Sequence, residues 1–339
     1  MIPYTGLKHH ERQNLIDVIP LKKPFTLIIE PTSQCNFSCI QCFQSVEGES
    51  YFTRTRSVMN LACFEKVMEQ LKSWPGPRFK VLKLSLYGEP LINKAFCDML
   101  RLVKAADVAE RVETTTNASL LTESIAERLV EIGLDYLRVS IYSALPEKHR
   151  AITKSAIPLE RIYDNLAVLK RVKQRHGSEK PFVGVKMLDT YSDENRFFEE
   201  RFRDVADEVF LDKPHNWVSV EGKSFIGDLY GEGAARALAD SGVSGAARVA
   251  CTQPFFTLAV RSNGDVAPCC IDWVGGTILG NINQETLEEI WNGDRMFEFR
   301  KMHLEGRRDE NESCRNCEFL RSDHYTRDTV DGFPVERLR

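Results

Sequence analysis

The chain has 339 residues, 42% hydrophobic and 28% charged, which suffices for one large domain or for a domain of about 200 residues with a smaller companion. Its formal charge of -4 argues against a broad nucleic-acid face, and the basic run Lys170 to Arg175 reads as the solvated side of a helix. No apolar run reaches the ~18 residues of a membrane span, and the N-terminus lacks the basic-then-apolar order of a signal peptide. A reducing cytoplasm is therefore expected, where ten cysteines point to metal ligation rather than disulfides.

After an N-terminal extension over residues 1–24, "FTLIIEP" (Phe25 to Pro31) reads as a buried strand leading into a cysteine loop. Leu61 to Trp74 follows helical spacing, with Leu61, Phe64, Val67, Met68 and Leu71 on one face. "VLKLSLYGEP" from Val81 is a second strand, followed by a helix that Asn93 is expected to cap. The alternation continues: strand "RVETTTN" and helix Glu123 to Ile132, strand "YLRVSIYS" and helix Leu159 to Lys173, strand "FVGVKML" and helix Asn195 to Val205. Asp207 to Pro214 is a sixth strand. Six βα-type units in a row imply a parallel sheet, doubly wound or curved into a partial barrel. In both, functional loops lie at the carboxyl ends of the strands, where the cysteine loop falls. The alternation covers residues 25–214. Residues 215–250, rich in Gly and Ala, read as a linker with one helix, residues 251–320 as a small cysteine-rich domain organised by metal, and 321–339 as a tail.

Cys35, Cys39 and Cys42 stand in "EPTSQCNFSCIQC", one thiol short of a closed four-ligand site. Soft thiolates on a short loop suit an iron–sulfur cluster, or a zinc site completed by a distant His or Cys. The C-x3-C-x2-C pattern after an apolar strand resembles the signature of the radical S-adenosylmethionine (SAM) enzymes. That resemblance implies a partial (β/α)6 barrel and a [4Fe–4S] cluster whose fourth iron is chelated by SAM. It also implies that Gly88 and Glu89 of "YGEP", Asn117 of "TTTNASLL" and Ser140 of "RVSIYSA" contact SAM. Lys154 stands about where relatives carry a carboxylate-binding arginine. Gln41 occupies the place of an aromatic or large apolar residue that packs near adenine, and Phe43 is the compensating neighbour.

Further on, "NGDVAPCCIDW…LGNINQETLEEIWN" with the pair "CRNC" resembles the SPASM/twitch extension of that family. Cys251, Cys269, Cys314 and Cys317 then suffice for one auxiliary [4Fe–4S] cluster; Cys270 is an alternative ligand to Cys269, or a hydrogen-atom donor. A four-cysteine zinc knuckle is the competing reading. Cys63 and Cys97 fall in helices and belong to the core.

The resemblance implies reductive cleavage of SAM to a 5′-deoxyadenosyl radical, with a flavodoxin or ferredoxin as reductant. An auxiliary cluster is a sensible electron acceptor, so two-electron oxidation of an alcohol on a sugar, aminocyclitol or nucleoside is the leading expectation. Epimerisation, dehydration and decarboxylation of such a substrate stand as alternatives. About 24 residues precede the first strand, few for a leader-binding domain, which places peptide substrates second. A non-catalytic metal or electron-transfer protein is the reading from another class. His215 and Asp272 are the further candidates for substrate contact, His215 as a base.

Overall fold

The computed structural model describes residues 14–45, 55–214, 225–241, 248–315, 317–321 and 329–339. Six parallel strands come in chain order across the sheet: β1 (Thr26–Ile29), β2 (Val81–Lys83), β3 (Val112–Thr116), β4 (Tyr136–Ser140), β5 (Phe182–Leu188) and β6 (Glu208–Asp212). The strand order never reverses. With right-handed crossovers, that puts every connecting helix on one face and leaves the other as a lumen, so the sheet is a partial barrel and not doubly wound.

The helices are α1 (Leu61–Ser73), α2 (Phe96–Ala106), α3 (Glu123–Ile132), α4 (Pro146–Thr153), α5 (Leu159–Arg175) and α6 (Glu194–Phe202). Their starts and stops follow local chemistry. The Asn60 side chain accepts from the Cys63 N–H at the head of α1, Thr122 caps α3, and Gly133 ends α3 at φ 77°. Asn93 does not cap α2, as the sequence suggested. It lies buried, three residues upstream of that helix, and its amide donates to the carbonyls of Pro31 (2.8 Å) and Met59 (2.9 Å), tying β1 to the entry of α1. The α4 helix, unread in the sequence because only three of its eight residues are buried, precedes α5.

The lumen face is set by alternation. Leu137, Val139, Val183, Val185 and Met187 pack under the helices, so Arg138, Ser140, Gly184 and Lys186 face inward. A Cβ on Gly184 would overlap the Tyr136 ring, so glycine gives that ring its room.

Beyond residue 214 the structure departs from the sequence reading in two ways. The presumed linker holds two helices, α7 (Phe225–Tyr230) and α8 (Glu232–Ser241), whose Ile226, Tyr230 and Ala234 pack on Ile152 and Leu188. The cysteine-rich region is no separate body. Its strand β7 (Thr257–Val260) pairs parallel with β1, and β8 (Asp265–Ala267) and β9 (Gly280–Asn281) extend the sheet to nine strands. Its helices α9 (Leu287–Asn292) and α10 (Asp294–Leu304) share the main core: Trp291 is fully buried there, donates to the Leu21 carbonyl (2.6 Å), and carries the Arg300 guanidinium 4.0 Å above its ring. Gln70 of α1 bonds both Ile282 O and Leu287 N, each at 3.0 Å. No helix among the described residues is long and apolar enough to cross a membrane.

Trp291→Ala is expected to cost about 3–5 kcal/mol. Because the core is shared, urea unfolding should shift as one transition followed by both fluorescence and circular dichroism; early loss of the C-terminal region alone would contradict this packing.

Candidate active site

The loop after β1 is irregular and still satisfied. Ser38 and Ile40 donate their N–H groups to Thr153 O and Ile152 O, carbonyls of the last turn of α4, both at 3.0 Å. Cys42 N–H reaches Cys39 O and Ser45 N–H reaches Cys42 O, both at 2.9 Å, while Ser45 Oγ donates to Cys39 O at 2.8 Å. These bonds turn Cys35, Cys39 and Cys42 onto one short arc. Burial raises all three thiols, Cys42 to about 11, and on Cys39 the neighbouring Cys42 and Cys35 add to the effect.

The other strand ends converge on this loop. A Cβ at Gly88 would overlap the carbonyl oxygens of Thr32 and Gln34, so only glycine lets the β2 loop lie against the cysteine loop. Glu89 N–H donates to Gln34 O (2.8 Å). Its buried carboxylate accepts from Leu91 N (3.2 Å), Thr116 Oγ1 (2.6 Å) and Asn117 N (2.7 Å), while burial pushes it up to about 7. Asn117 donates to Asn36 Oδ1 (3.0 Å), inside the cysteine loop, and its own oxygen accepts from Ser119. Ser140 ends β4 on the lumen face, in register with Lys186. Lys154 is exposed and terminates α4 at φ 53°, just after the carbonyls that hold the loop. Gln41 donates to the Tyr230 hydroxyl (2.8 Å) of α7, and Phe43 stacks on Trp273 with centroids 5.7 Å apart while meeting Tyr87 edge-on at 4.9 Å.

Cys251, Cys269, Cys314 and Cys317 line one cavity with Pro254, Phe299, His303 and Arg308. Cys270 does not line that cavity; it packs against the cluster of Ile28, Ala259 and Ala267. Burial raises Cys251 to about 12 and Cys269 and Cys314 further, with the thiols raising one another. Such a set favours a bound cation. Thiolate donors of this kind suit an iron–sulfur cluster or zinc.

Of the two further candidates for substrate contact, one lies among the described residues. Asp272 is 2% exposed, and its carboxylate is spent on its own loop: it accepts from Gly276 N (2.9 Å), Thr277 N (3.2 Å), Arg261 (3.2 Å) and the Ser313 hydroxyl. It shapes the auxiliary cavity and is not placed to touch substrate. His215 lies outside the described residues. Sequence reading also missed Arg138, Lys186 and Asp212, where Asp212 takes bonds from Arg138 (2.5 Å) and Lys186 (2.8 Å) across the lumen ends of three strands. Desolvation lowers Lys186, with Asp212 opposing. Charges at alternate positions of otherwise apolar parallel strands were the available signal.

A model of the radical SAM superfamily matches residues 29–186, and one of an iron–sulfur cluster-binding domain, SPASM, matches 251–318. The chain belongs to the radical SAM superfamily. It carries a C-terminal SPASM domain, and the two together bring SAM and iron–sulfur clusters as cofactors. This radical SAM chain is 25% identical over 300 residues to an S-adenosyl-L-methionine-dependent 2-deoxy-scyllo-inosamine dehydrogenase of Niallia circulans, covering 88% of this chain and 94% of that one. It is 27% identical over 164 residues to a tungsten-containing aldehyde ferredoxin oxidoreductase cofactor-modifying protein of Pyrococcus furiosus, covering 48% and 43%. Among solved structures, BtrN in complex with AdoMet and 2-DOIA superposes with TM-score 0.56 at 23% identity, covering 90% and 95%. The enzyme anSMEcpe with AdoMet and a peptide bound gives 0.58 at 17%, covering 91% and 92%. At these identities the superpositions show the fold.

Glu89→Gln would set an amide NH2 against donor groups and should cost about 1–3 kcal/mol. The sign of its pH effect follows from the raised pKa. Between the ordinary 4.5 and about 7 the folded chain holds a proton that the unfolded chain releases, so this group's contribution to stability falls as pH rises through that window. Denaturant titrations from pH 4.5 to 7.5 should show a flatter profile for the variant; identical profiles would remove Glu89 as the titrating strut.

Proposed function

We propose that this protein is a radical SAM dehydrogenase that oxidises an alcohol carbon of a small carbohydrate-like substrate (a sugar, aminocyclitol or nucleoside) by two electrons. The observation that carries the reading is the four-cysteine cavity of Cys251, Cys269, Cys314 and Cys317, whose Trp273 loop stacks on Phe43 beside the Cys35, Cys39 and Cys42 arc. An electron acceptor adjoining the site of hydrogen removal is what oxidation needs and what epimerisation does not. The likeness to the Niallia circulans dehydrogenase over nearly its whole length supports the same class.

Cys35, Cys39 and Cys42 would hold the SAM-binding cluster. When bound and reduced by an external flavodoxin or ferredoxin, that cluster supplies the electron that cleaves SAM to the 5′-deoxyadenosyl radical, which takes hydrogen from carbon. Gly88, Glu89, Asn117 and Ser140 would line the SAM site, and the raised proton affinity of buried Glu89 suits it to an incoming ammonium. Lys154, Gln41 and Phe43 border the same loop. Arg138, Lys186 and Asp212 would orient substrate hydroxyls at the lumen wall, since three charged donors and acceptors at the strand ends match a polyol.

The second reading, epimerisation with Cys270 as hydrogen-atom donor, is favoured by one observation: Cys270 packs against Ile28, Ala259 and Ala267, away from the auxiliary cavity.

Anaerobically reconstituted protein should hold about eight irons, falling to about four in Cys35→Ala/Cys39→Ala/Cys42→Ala. With dithionite, SAM and a panel of aminocyclitols and sugars that includes 2-deoxy-scyllo-inosamine, the wild type should release 5′-deoxyadenosine with an equal amount of ketone. Zinc in place of the second cluster would remove the internal acceptor and sink the dehydrogenase reading. Deuterium uptake into product from D2O, abolished by Cys270→Ala, would establish the epimerase instead. Lys186→Met should lower kcat/KM by about 10- to 100-fold, as expected for loss of a charged hydrogen bond to substrate, with SAM cleavage uncoupled from product.

A further inference from the structure

Among the residues around the auxiliary cavity, His303 stands apart. It sits near the end of α10, 1% exposed, edge-on to Phe299 with centroids 4.9 Å apart. Its Nδ1 accepts the backbone N–H of Cys251 at 3.4 Å, and its Nε2 lies 3.6 Å from Cys314 Sγ. One ring therefore touches two of the four cysteines that line the cavity. A ring nitrogen that accepts a hydrogen bond carries no proton, so the neutral imidazole bears its hydrogen on Nε2, the nitrogen turned to sulfur.

We propose that His303 donates a hydrogen bond from Nε2 to the Cys314 thiolate and thereby raises the reduction potential of the auxiliary cluster. The inference rests on the reading that these four cysteines hold an iron–sulfur cluster. Reduction adds negative charge that is shared by the thiolate sulfurs, and a donor aimed at one of them stabilises the reduced form more than the oxidised one. Pro254, Phe299, Phe319 and Leu320 give the cavity apolar walls, and Gln253, Asp272, Thr277 and Ser313 also line it. A neutral donor fits such a wall without the cost of burying a further charge. The one cationic side chain on that wall, Arg308, is turned to the backbone, its guanidinium 3.5 Å from Cys317 O. His303 is thus a positioning and tuning residue: it acts through Cys314 and makes the cluster a better acceptor for an electron leaving the substrate.

The test is a potentiometric titration of the anaerobic holoenzyme followed by EPR, with the Cys35→Ala/Cys39→Ala/Cys42→Ala protein identifying the auxiliary signal. His303→Leu should lower the auxiliary couple by about three- to tenfold in the reduction equilibrium, which is at most ~59 mV for one electron. His303→Gln, which keeps a donor and an acceptor, should recover most of the shift. Proton ENDOR of the reduced wild type should show an exchangeable coupling that His303→Leu lacks. An unchanged potential in His303→Leu with full auxiliary iron would overturn the proposal. So would a strongly coupled nitrogen in the wild type, which would make His303 a ligand to iron. If His303→Leu fails to load iron, the wild-type ENDOR and the His303→Gln potential decide the matter. Absence of iron from the triple-cysteine variant marks failure of the cluster reading itself.

Discussion

The carboxylate of Glu30 fastens the molecule together at the point where its chemistry is arranged. It directly follows β1, is 2% exposed, and accepts from Tyr87 N (3.2 Å) on one side and from Ser262 N and Oγ (2.9 Å each) on the other. A buried carboxylate is tolerated only when such donors replace water, and burial still raises its proton affinity. β1 itself is laddered on both sides, to β2 and to β7. The cysteine loop, the loop that carries Gly88 and Glu89, and the hairpin that leads to the auxiliary cysteines are therefore indexed to one strand and one side chain. Replacing that carboxylate would release three loops at once.

The same indexing gives the two cysteine sites a common wall. Phe43, one residue past Cys42, stacks on Trp273, three residues past Cys270. Tyr87 meets Phe43 edge-on and lies under the Arg261 guanidinium, which is 5.7 Å from its ring and 3.2 Å from Asp272. Breaking such a buried pair by removing one partner leaves an uncompensated charge. Asp272 thus ties the auxiliary loop together. Its four donors come from as far away as Ser313, a connection that no local pattern displays.

That contrast marks how much of the protein was legible in its sequence. The order of the six parallel strands and of the helices through residue 214, α4 apart, was readable because parallel strands and one-sided helices have distinct periods. The glycine of "YGEP" was singled out by its motif alone, and its close approach to Thr32 and Gln34 is visible only in the fold. Asn93 was misread because a cap and a buried crosslink use the same amide, and only the fold shows which carbonyls are near. Arg138, Lys186 and Asp212 were missed although their alternation is visible, because a charge in a strand looks like noise until neighbouring strands are in register. The division between Cys269 and Cys270 was open for a similar reason: which thiol faces the cavity depends on the course of the segment between β8 and β9.

The shared core bears on what the second cysteine set is for. A zinc knuckle folds because metal binding supplies the free energy that a small core cannot. Here Trp291, Leu287, Ile290 and Met296 join Leu27 and Val67 in one apolar cluster, and β7 is laddered onto the central strand. The C-terminal region thus draws its stability from burial already in place. Cys251, Cys269 and Cys314, three of the four thiols, are raised by burial, and His303 lies against two of the four cysteines, so the set is a cost to the apo-fold rather than a staple for it. Such a site is explained by the work of what it binds, and a redox acceptor held beside the SAM loop is the work that the rest of the architecture accommodates.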